Sequence, residues 1–550
     1  MKLRDWQARL KDKVINALKE EYIVALQSPT GSGKTLFSLL VGLELKGKVL
    51  FVVRTHNEYY PIYREYMRVA RDKKFGFVMG KPISCIFASS DANPEDIKCS
   101  SCEYQSVLNN YEIKDPPHEE IFKLKEQGYR EGFCPYYTLL ENIRESDVVV
   151  ISYPYFFLPN LRSLIDVKLE EYLIVIDEAH NLDSINELDE RRISKRTIEG
   201  ALREVSSEEA KRILTKLEEE FSKRVYKEER HILVDKITNI TQEEIEILDA
   251  EYEELKEKML KEGKIKRLNL GSIIKFLKSL NEEGRSLFSY SEGLVSKVID
   301  SSKYLEILND EKLSILLMSG TLPPKEYLEN IIGIKRKIFY IDVEKETRSK
   351  VSGNYECIIA TDVTTAYSLR NERMWKNYAS YILKIYYNSK KNILVVFPSY
   401  EIMNKILSLI TNIPKYIESE NSTIEEAQKI ISNSHDKMII GIVSRGKLSE
   451  GVEFRINNEN LISDVVIVGI PYPPPDDYMK VKSELISKRL GYEVNESLYR
   501  IPAMISVKQA IGRAIRDIND RVTVWLLDKR FEGIWWKQKL KCFNSKKIRL

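Results

Sequence analysis

A chain of 550 residues exceeds what one hydrophobic core sustains, so two or more domains are required. Its 86 basic and 83 acidic side chains leave a net charge of only +3, which excludes a global positive field and confines any nucleic-acid contact to a local groove. MKLRDWQARLKDK at the start lacks an apolar leader core, no apolar run reaches spanning length, and the six cysteines do not suggest a disulfide framework. The expectation is a soluble, intracellular protein without membrane contact.

Leu3 to Leu18 has helical spacing and carries Arg4 and Gln7. The apolar run Tyr22 to Leu26 then leads into Ser28, Pro29, Thr30, Gly31, Ser32, Gly33, Lys34 and Thr35, followed by the amphipathic Leu36 to Lys46. Strand, tight loop and helix in that order wrap backbone N–H groups around a phosphate at the positive helix end. Gly31 and Gly33 permit close approach, Lys34 can reach the β- and γ-phosphates, and the Thr35 hydroxyl can hold Mg²⁺. Ser28 occupies a position where the usual pattern has Gly. Next, Val49 to Val53 predicts a strand delivering Arg54, Thr55 and His56 at its carboxyl end, where open α/β sheets bind ligands.

Between Gly80 and Asp147 the α/β rhythm stops, and four cysteines appear: Cys85, Cys99, Cys102 and Cys134. One CxxC pair with two long spacings suits a Zn²⁺ site or an iron–sulfur cluster equally. Cys357 and Cys542 are expected to be ordinary core or surface residues. The rhythm resumes with Val148 to Ser152 and YPYFF, then Leu173 to Ile176, which ends on Asp177, Glu178, Ala179 and His180. Beside a phosphate loop, Asp177 suits a Mg²⁺ ligand and Glu178 the group that polarises water.

From about Asn186 to Ser302 the composition predicts a charged, helical insert. Thr241 and Glu244 form a capping-box pair ahead of Ile245, Leu248, Tyr252, Leu255 and Met259, and Gly263 supplies a stop. Strand Ser314 to Met318 returns the chain to the first sheet. Past about Glu344 a second α/β rhythm begins, with strands at Ile393 to Phe397, Met438 to Val443, Val465 to Val468 and Val522 to Leu527, and a helix at Tyr400 to Ile410. IPYPPPDDY predicts a rigid extended connection. In QAIGRAIRD, the spacing puts Gln509, Arg513 and Arg516 on one helix face, suited to a transferring γ-phosphate. After Gly533 there are six basic residues and no acid, which fits a DNA-binding surface or a solvated tail.

The ordered set SPTGSGKT, RTHNE, DEAH, SGTL, VVFPSY, GKLSEGVEF, PYPPPDDY and QAIGRAIRD resembles the superfamily 2 helicases, and the cysteine insertion narrows the likeness to the iron–sulfur helicases of xeroderma pigmentosum group D (XPD) type. The resemblance spans essentially the whole chain. It implies an α/β fold of two RecA-like P-loop NTPase domains, the first holding an inserted [4Fe–4S] domain and an inserted α-helical arch. The boundaries implied are 1–80, 148–190 and 306–343 for the first RecA-like domain, 81–147 for the cluster domain, 191–305 for the arch and 344–550 for the second RecA-like domain. The resemblance further implies a [4Fe–4S] cluster on the four cysteines, ATP with Mg²⁺ in the cleft, adenine near Arg4 and Gln7, and DNA backbone near Arg54, Thr55 and His56. The implied activity is an ATP-dependent, 5′-to-3′ DNA helicase of nucleotide excision repair, acting as a cytoplasmic, nucleoid-associated monomer on single-stranded, forked or 5′-tailed DNA. Two other classes stay open: an ATP-dependent damage sensor or translocase without processive unwinding, and a P-loop iron–sulfur carrier ATPase.

Overall fold

The computed structural model describes residues 3–348, 350–419, 421–434, 436–446, 448, 454–456 and 459–550. Of the GKLSEGVEF stretch only Gly446, Leu448 and Phe454 fall within these residues, so its expected role lies outside them.

Two seven-stranded sheets organise the chain, each wholly parallel. The first runs, edge to edge, Ile338–Asp342, Ile23–Gln27, Ser314–Ser319, Leu173–Ile176, Val49–Val53, Val148–Ser152 and Phe75–Phe77. Continuous apolar sequences such as VLFVV and VVVIS are buried along their length because helices cover both faces of a parallel sheet. Polar residues therefore wait for the strand ends. Ser28, Arg54, Tyr153 and Asp177 each follow the last residue of a strand, and Ser319 ends one.

The second sheet runs Lys415–Ile417, Ile439–Val443, Asn392–Phe397, Ile462–Val468, Arg521–Leu527, Asn354–Ala360 and Lys546–Ile548. Its last strand corrects the reading of the carboxyl end. Residues 546–548 pair with 358–360, Trp536 is 4% exposed, and Cys542 is disulfide-bonded to Cys357 with Cα atoms 5.6 Å apart. The basic stretch is thus stitched to the sheet, and the two cysteines are not independent thiols. Spacing of 185 residues gave no hint of the pair.

The insert after the DEAH sequence is not purely helical. Helices Lys195–Glu204, Glu208–Arg224, Gln242–Lys261 and Asn269–Ser279 pack with a four-stranded antiparallel sheet in the order Arg191–Ser194, Gly293–Val298, Arg285–Tyr290, Ile232–Val234. The capping box forms as expected, with the Glu244 N–H donating to Thr241 Oγ1 at 3.2 Å and the Thr241 N–H to Glu244 Oε2 at 2.9 Å. The cysteine region shares a core with this insert: Ala92 and Ile97 join Leu248, Tyr252, Ile265 and Leu268 in one cluster. At the seam, buried Asp96 accepts from Tyr252 Oη (2.7 Å), Leu268 N–H (3.2 Å) and Asn93 N–H (2.9 Å).

Helix Asp477–Leu490 belongs to the second half in sequence yet grips the first. Its Lys482 ammonium meets Asp183 at 2.8 Å, and Asp476, just before it, meets His231 of the insert at 2.6 Å. Among the described residues no helix is long and apolar enough to cross a membrane.

Candidate nucleotide cleft

Gly31 and Gly33 have φ of +77° and +91°, left-handed values that favour glycine. Space requires glycine too, since a Cβ on Gly31 would lie 2.9 Å from the Arg516 carbonyl oxygen and one on Gly33 2.8 Å from Gln7 Nε2. The loop closes on itself through Ser28 Oγ donating to Ser32 Oγ at 2.8 Å, so Ser28 contributes a bond that glycine could not. Lys34 opens helix Lys34–Leu45 and donates to the Ser28 carbonyl at 3.1 Å.

Helix Asp5–Lys19 explains why the loop keeps this shape. Arg4 Nη1 donates to the Gly31 carbonyl (2.8 Å), Trp6 Nε1 to Ser32 (3.1 Å) and Gln7 Nε2 to Gly33 (3.0 Å). Three consecutive carbonyls are tied to one helix start, and with Ser28 and Ser32 N–H turned to the Ser319 and Pro29 carbonyls, the Gly31 and Gly33 N–H groups are left for a ligand. Arg4 and Gln7 were expected near adenine; their bonds here go to the loop. Trp6 went unnoticed in the sequence, where a Trp in an amphipathic helix signals only burial.

Across the cleft floor, Asp177 follows Leu173–Ile176. Burial, with the Glu178 charge beside it, pushes the Asp177 carboxyl up to about 6. A lone charge is costly there, so a cation beside the carboxylate would relieve it. Glu178 sits at φ +48°, a left-handed turn that costs a non-glycine residue about 1–2 kcal/mol. Tyr153 Oη holds that turn by donating to the Asp177 carbonyl at 2.6 Å. Burial opposes the Glu178 charge, but His180, Lys34 and Arg513 outweigh it and hold the carboxyl well below its usual range. Glu178 Oε2 lies 3.1 Å from His180 Nδ1 and accepts from Ser319 Oγ at 3.1 Å.

The second domain reaches this group directly: the Gln509 amide meets Nε2 of His180. Gln509 and Arg513 lie on helix Asn495–Ala514. Arg516 does not, which corrects the one-face expectation. The helix ends at Ala514 because Asp520 draws the Arg516 and Asp517 N–H groups into a turn, each at 2.8 Å. That turn sets the Arg516 carbonyl against Gly31. Between the domains lies a cavity of ≈ 1500 Å³ lined by Pro29, Thr30, Glu178, His180, Gln509, Arg513 and Arg516, among others.

Beside the cleft, Arg54 Nη1 donates to Asn181 Oδ1 at 2.7 Å, and Thr55 donates through N–H (2.9 Å) and Oγ1 (2.7 Å) to Glu58. Burial pushes the Glu58 carboxyl up to about 7 despite those bonds, with Asp177 and Glu178 adding to the rise. His56 packs edge-on against Tyr59 with ring centroids 5.1 Å apart, and burial lowers its pKa.

The four cysteines of the inserted region lie near enough for their charges to act on one another. Burial raises the Cys85 and Cys134 thiols, Cys134 to about 11, and the charges of Cys99 with Cys102 on the first and Cys99 with Cys85 on the second add to it. Working against that rise, N–H groups two and three residues on donate to the sulfurs: Phe87 and Ala88 to Cys85, Tyr104 to Cys102, Tyr136 and Tyr137 to Cys134. Amides aimed at sulfur stabilise thiolates, the form that binds metal. Among the described residues no group of three or more His, Cys, Asp or Glu side chains is drawn to metal-holding distance.

A phosphate loop and an acidic pair on one RecA-like sheet, faced by a glutamine and arginines from a second, define an ATP-dependent helicase. Comparison with known proteins carries this to the family. Residues 382–543 match the helicase C-terminal domain family and residues 53–198 match DEAD_2. The chain is 52% identical over 553 residues to the ATP-dependent DNA helicase XPD of Sulfolobus acidocaldarius, covering 100% of both. A solved XPD helicase structure superposes with a TM-score of 0.95 at 51% identity over 100% of both chains, and the structure of S. tokodaii Xpd4 with 0.72 at 26% identity over 99% of this chain and 100% of that one. The chain belongs to the XPD family of ATP-dependent DNA helicases.

Proposed function

We propose that this chain hydrolyses Mg²⁺·ATP in the cleft to move 5′ to 3′ along single-stranded DNA and part duplex ahead of it, in a repair setting of the nucleotide-excision kind. One observation carries the reading: the Gln509 amide on His180 joins the two sheets beside the Glu178 carboxylate and the phosphate loop. Lys34 neutralises the β- and γ-phosphates, and the loop's N–H groups cradle them. Magnesium, screening the phosphate charge when bound, would be held by Thr35 and Asp177, whose buried carboxyl near 6 suits a cation. Glu178, kept ionised by His180, Lys34 and Arg513, takes the proton of the attacking water. Arg513 and Arg516 stabilise charge on the γ-phosphoryl group from the second domain, so turnover requires the domains to close.

Arg54, Thr55 and His56 meet the DNA backbone beside this site. Cys85, Cys99, Cys102 and Cys134 would hold a [4Fe–4S] cluster, a rigid staple for the loops between 81 and 147; the amides directed at their sulfurs support thiolate ligation. The insert over 191–305 is the arch, fastened to that staple through Asp96. We place the protein in the cytoplasm, on the nucleoid, as a monomer. The test compares ATPase with and without single-stranded DNA and displacement of 5′-tailed against 3′-tailed duplexes, with and without Mg²⁺. Unwinding of the 3′-tailed substrate alone would reverse the polarity, and DNA-stimulated ATPase without displacement would favour the non-unwinding translocase.

A further inference from the structure

Lys508 precedes Gln509 on helix Asn495–Ala514 and lines the same cavity. Its ammonium has no hydrogen-bond or ion-pair partner among the described residues. The groups around it explain why none is available. From the carboxyl-terminal segment it faces Lys541 and Lys539, and from the edge of the first sheet Asp342 and Lys345. Glu344 is taken by Lys541 at 2.9 Å, and Asp342 by the Gln27 amide at 3.1 Å. On its own helix the polar neighbours lining the cavity are Gln509 and Arg513, and Arg348 and Arg516 add further cations to the wall.

A half-buried ammonium among like charges, with no anion of its own, is relieved when a ligand supplies one. The cavity that holds this one also holds the phosphate loop's Pro29 and Thr30. We propose that Lys508 is a further nucleotide contact, an ammonium that the second domain presents to the phosphate chain of a bound nucleoside triphosphate. The inference rests on the ATP-cleft reading above. Burial first, then the charge of Lys541, pushes the free amine down to about 8, with Asp342 opposing in part. Phosphate oxygens beside it would restore the ordinary lysine value, so Lys508 should contribute about half a proton of uptake at pH 8 and almost none at pH 6.5.

The experiment is isothermal titration of the full chain with the Mg²⁺ complex of a non-hydrolysable ATP analogue, in pairs of buffers of different ionisation enthalpy, at pH 6.5 and 8. For the parent, about half a proton per site at pH 8 is expected from Lys508. Lys508→Met should abolish that uptake and weaken binding at pH 6.5 about tenfold, the cost of one charge-assisted bond. Lys508→Arg, charged at both pH values, should abolish the uptake while holding affinity within about threefold. Uptake that persists undiminished in either variant, or unchanged affinity in Lys508→Met, overturns the proposal. The same titration with a single-stranded oligonucleotide separates the other source of phosphate: uptake there and not with nucleotide assigns Lys508 to DNA and likewise overturns it. A parent chain that binds no nucleotide refutes the cleft reading itself.

Discussion

The two parallel sheets and the inserted region between them obey different rules of construction. In the first sheet, Ser28, Arg54 and Asp177 each follow a strand of four or five mostly buried apolar residues, so their positions are fixed by local pattern plus parallel pairing. In the insert, geometry depends on single side chains reaching across long sequence gaps. Asp96 bonds residues 156 and 172 positions away, and Arg285 donates to the Asp189 carbonyl 96 positions back at 2.7 Å. The sheets should therefore fail chemically when a site residue is changed, with the fold left standing. The insert should fail mechanically, with the chemistry left standing.

Lys34→Ala is the largest test of the first half of that contrast. Its one hydrogen bond among the described residues is to the Ser28 carbonyl of the loop, so the sheet core should be retained while ATP turnover falls at least about a hundredfold. Steady-state ATPase beside thermal melting checks both parts. A melting point lowered together with activity would blur the distinction between the two regions.

Arg513→Ala should come next, with DNA-stimulated turnover down about a hundredfold and nucleotide affinity changed little, because a cation from the facing domain acts mainly on the transition state. Fluorescent-nucleotide binding measured against kcat separates this from a ground-state role. An equal loss in both would mean that the cleft is closed before hydrolysis begins.

The same contrast governs what the sequence discloses. Strand ends carrying Ser28, Arg54, Asp177 and Ser319 were legible because period and composition change abruptly there. Arg516 was misplaced, since a helical spacing of three continues only if the helix does, and a carboxylate four residues on ended it. The Asn354–Ala360 strand begins NYE, with little apolar signal before CIIA, and stayed hidden. Inside the insert, strands such as RRIS and GLVSKV carry cations that pair with acids elsewhere, as Lys297 does with Glu190 at 2.8 Å. Read alone, such segments look like charged helix. Long-range pairs, the Cys357–Cys542 disulfide included, leave no mark on local pattern.

Cys99→Ser probes the second half. If the four thiols hold the proposed cluster, removing one should strip iron and loosen the loops between 81 and 147. ATPase on single-stranded DNA should stay within about threefold of the parent, since none of the four cysteines lines the cleft. Displacement of a 5′-tailed duplex should drop at least about tenfold. Iron content, ATPase and displacement measured on one preparation decide the matter; a variant that loses iron and still unwinds would show that the insert works without its staple.

The smallest expected effect tests whether the cleft depends on long-range ties as well. Trp6 is 2% exposed, with its ring centroid 4.8 Å from that of Phe37 and its Nε1 donating to the Ser32 carbonyl at 3.1 Å. Trp6→Phe keeps an aromatic ring against Phe37 and removes that donor. Ser32 would then lose the middle one of three ties, between those from Arg4 and Gln7, which remain. One buried bond is worth about 1 kcal/mol, and part of that appears as a floppier loop that must be ordered by the nucleotide. KM for ATP should rise about threefold to fivefold, while kcat at saturation is nearly unchanged because Lys34, Glu178 and Arg513 keep their places. An unchanged KM would mean that Arg4 and Gln7 suffice to hold the loop. A collapse in kcat would mean instead that the amino-terminal helix aligns the reacting phosphate, making the cleft as dependent on distant side chains as the insert is.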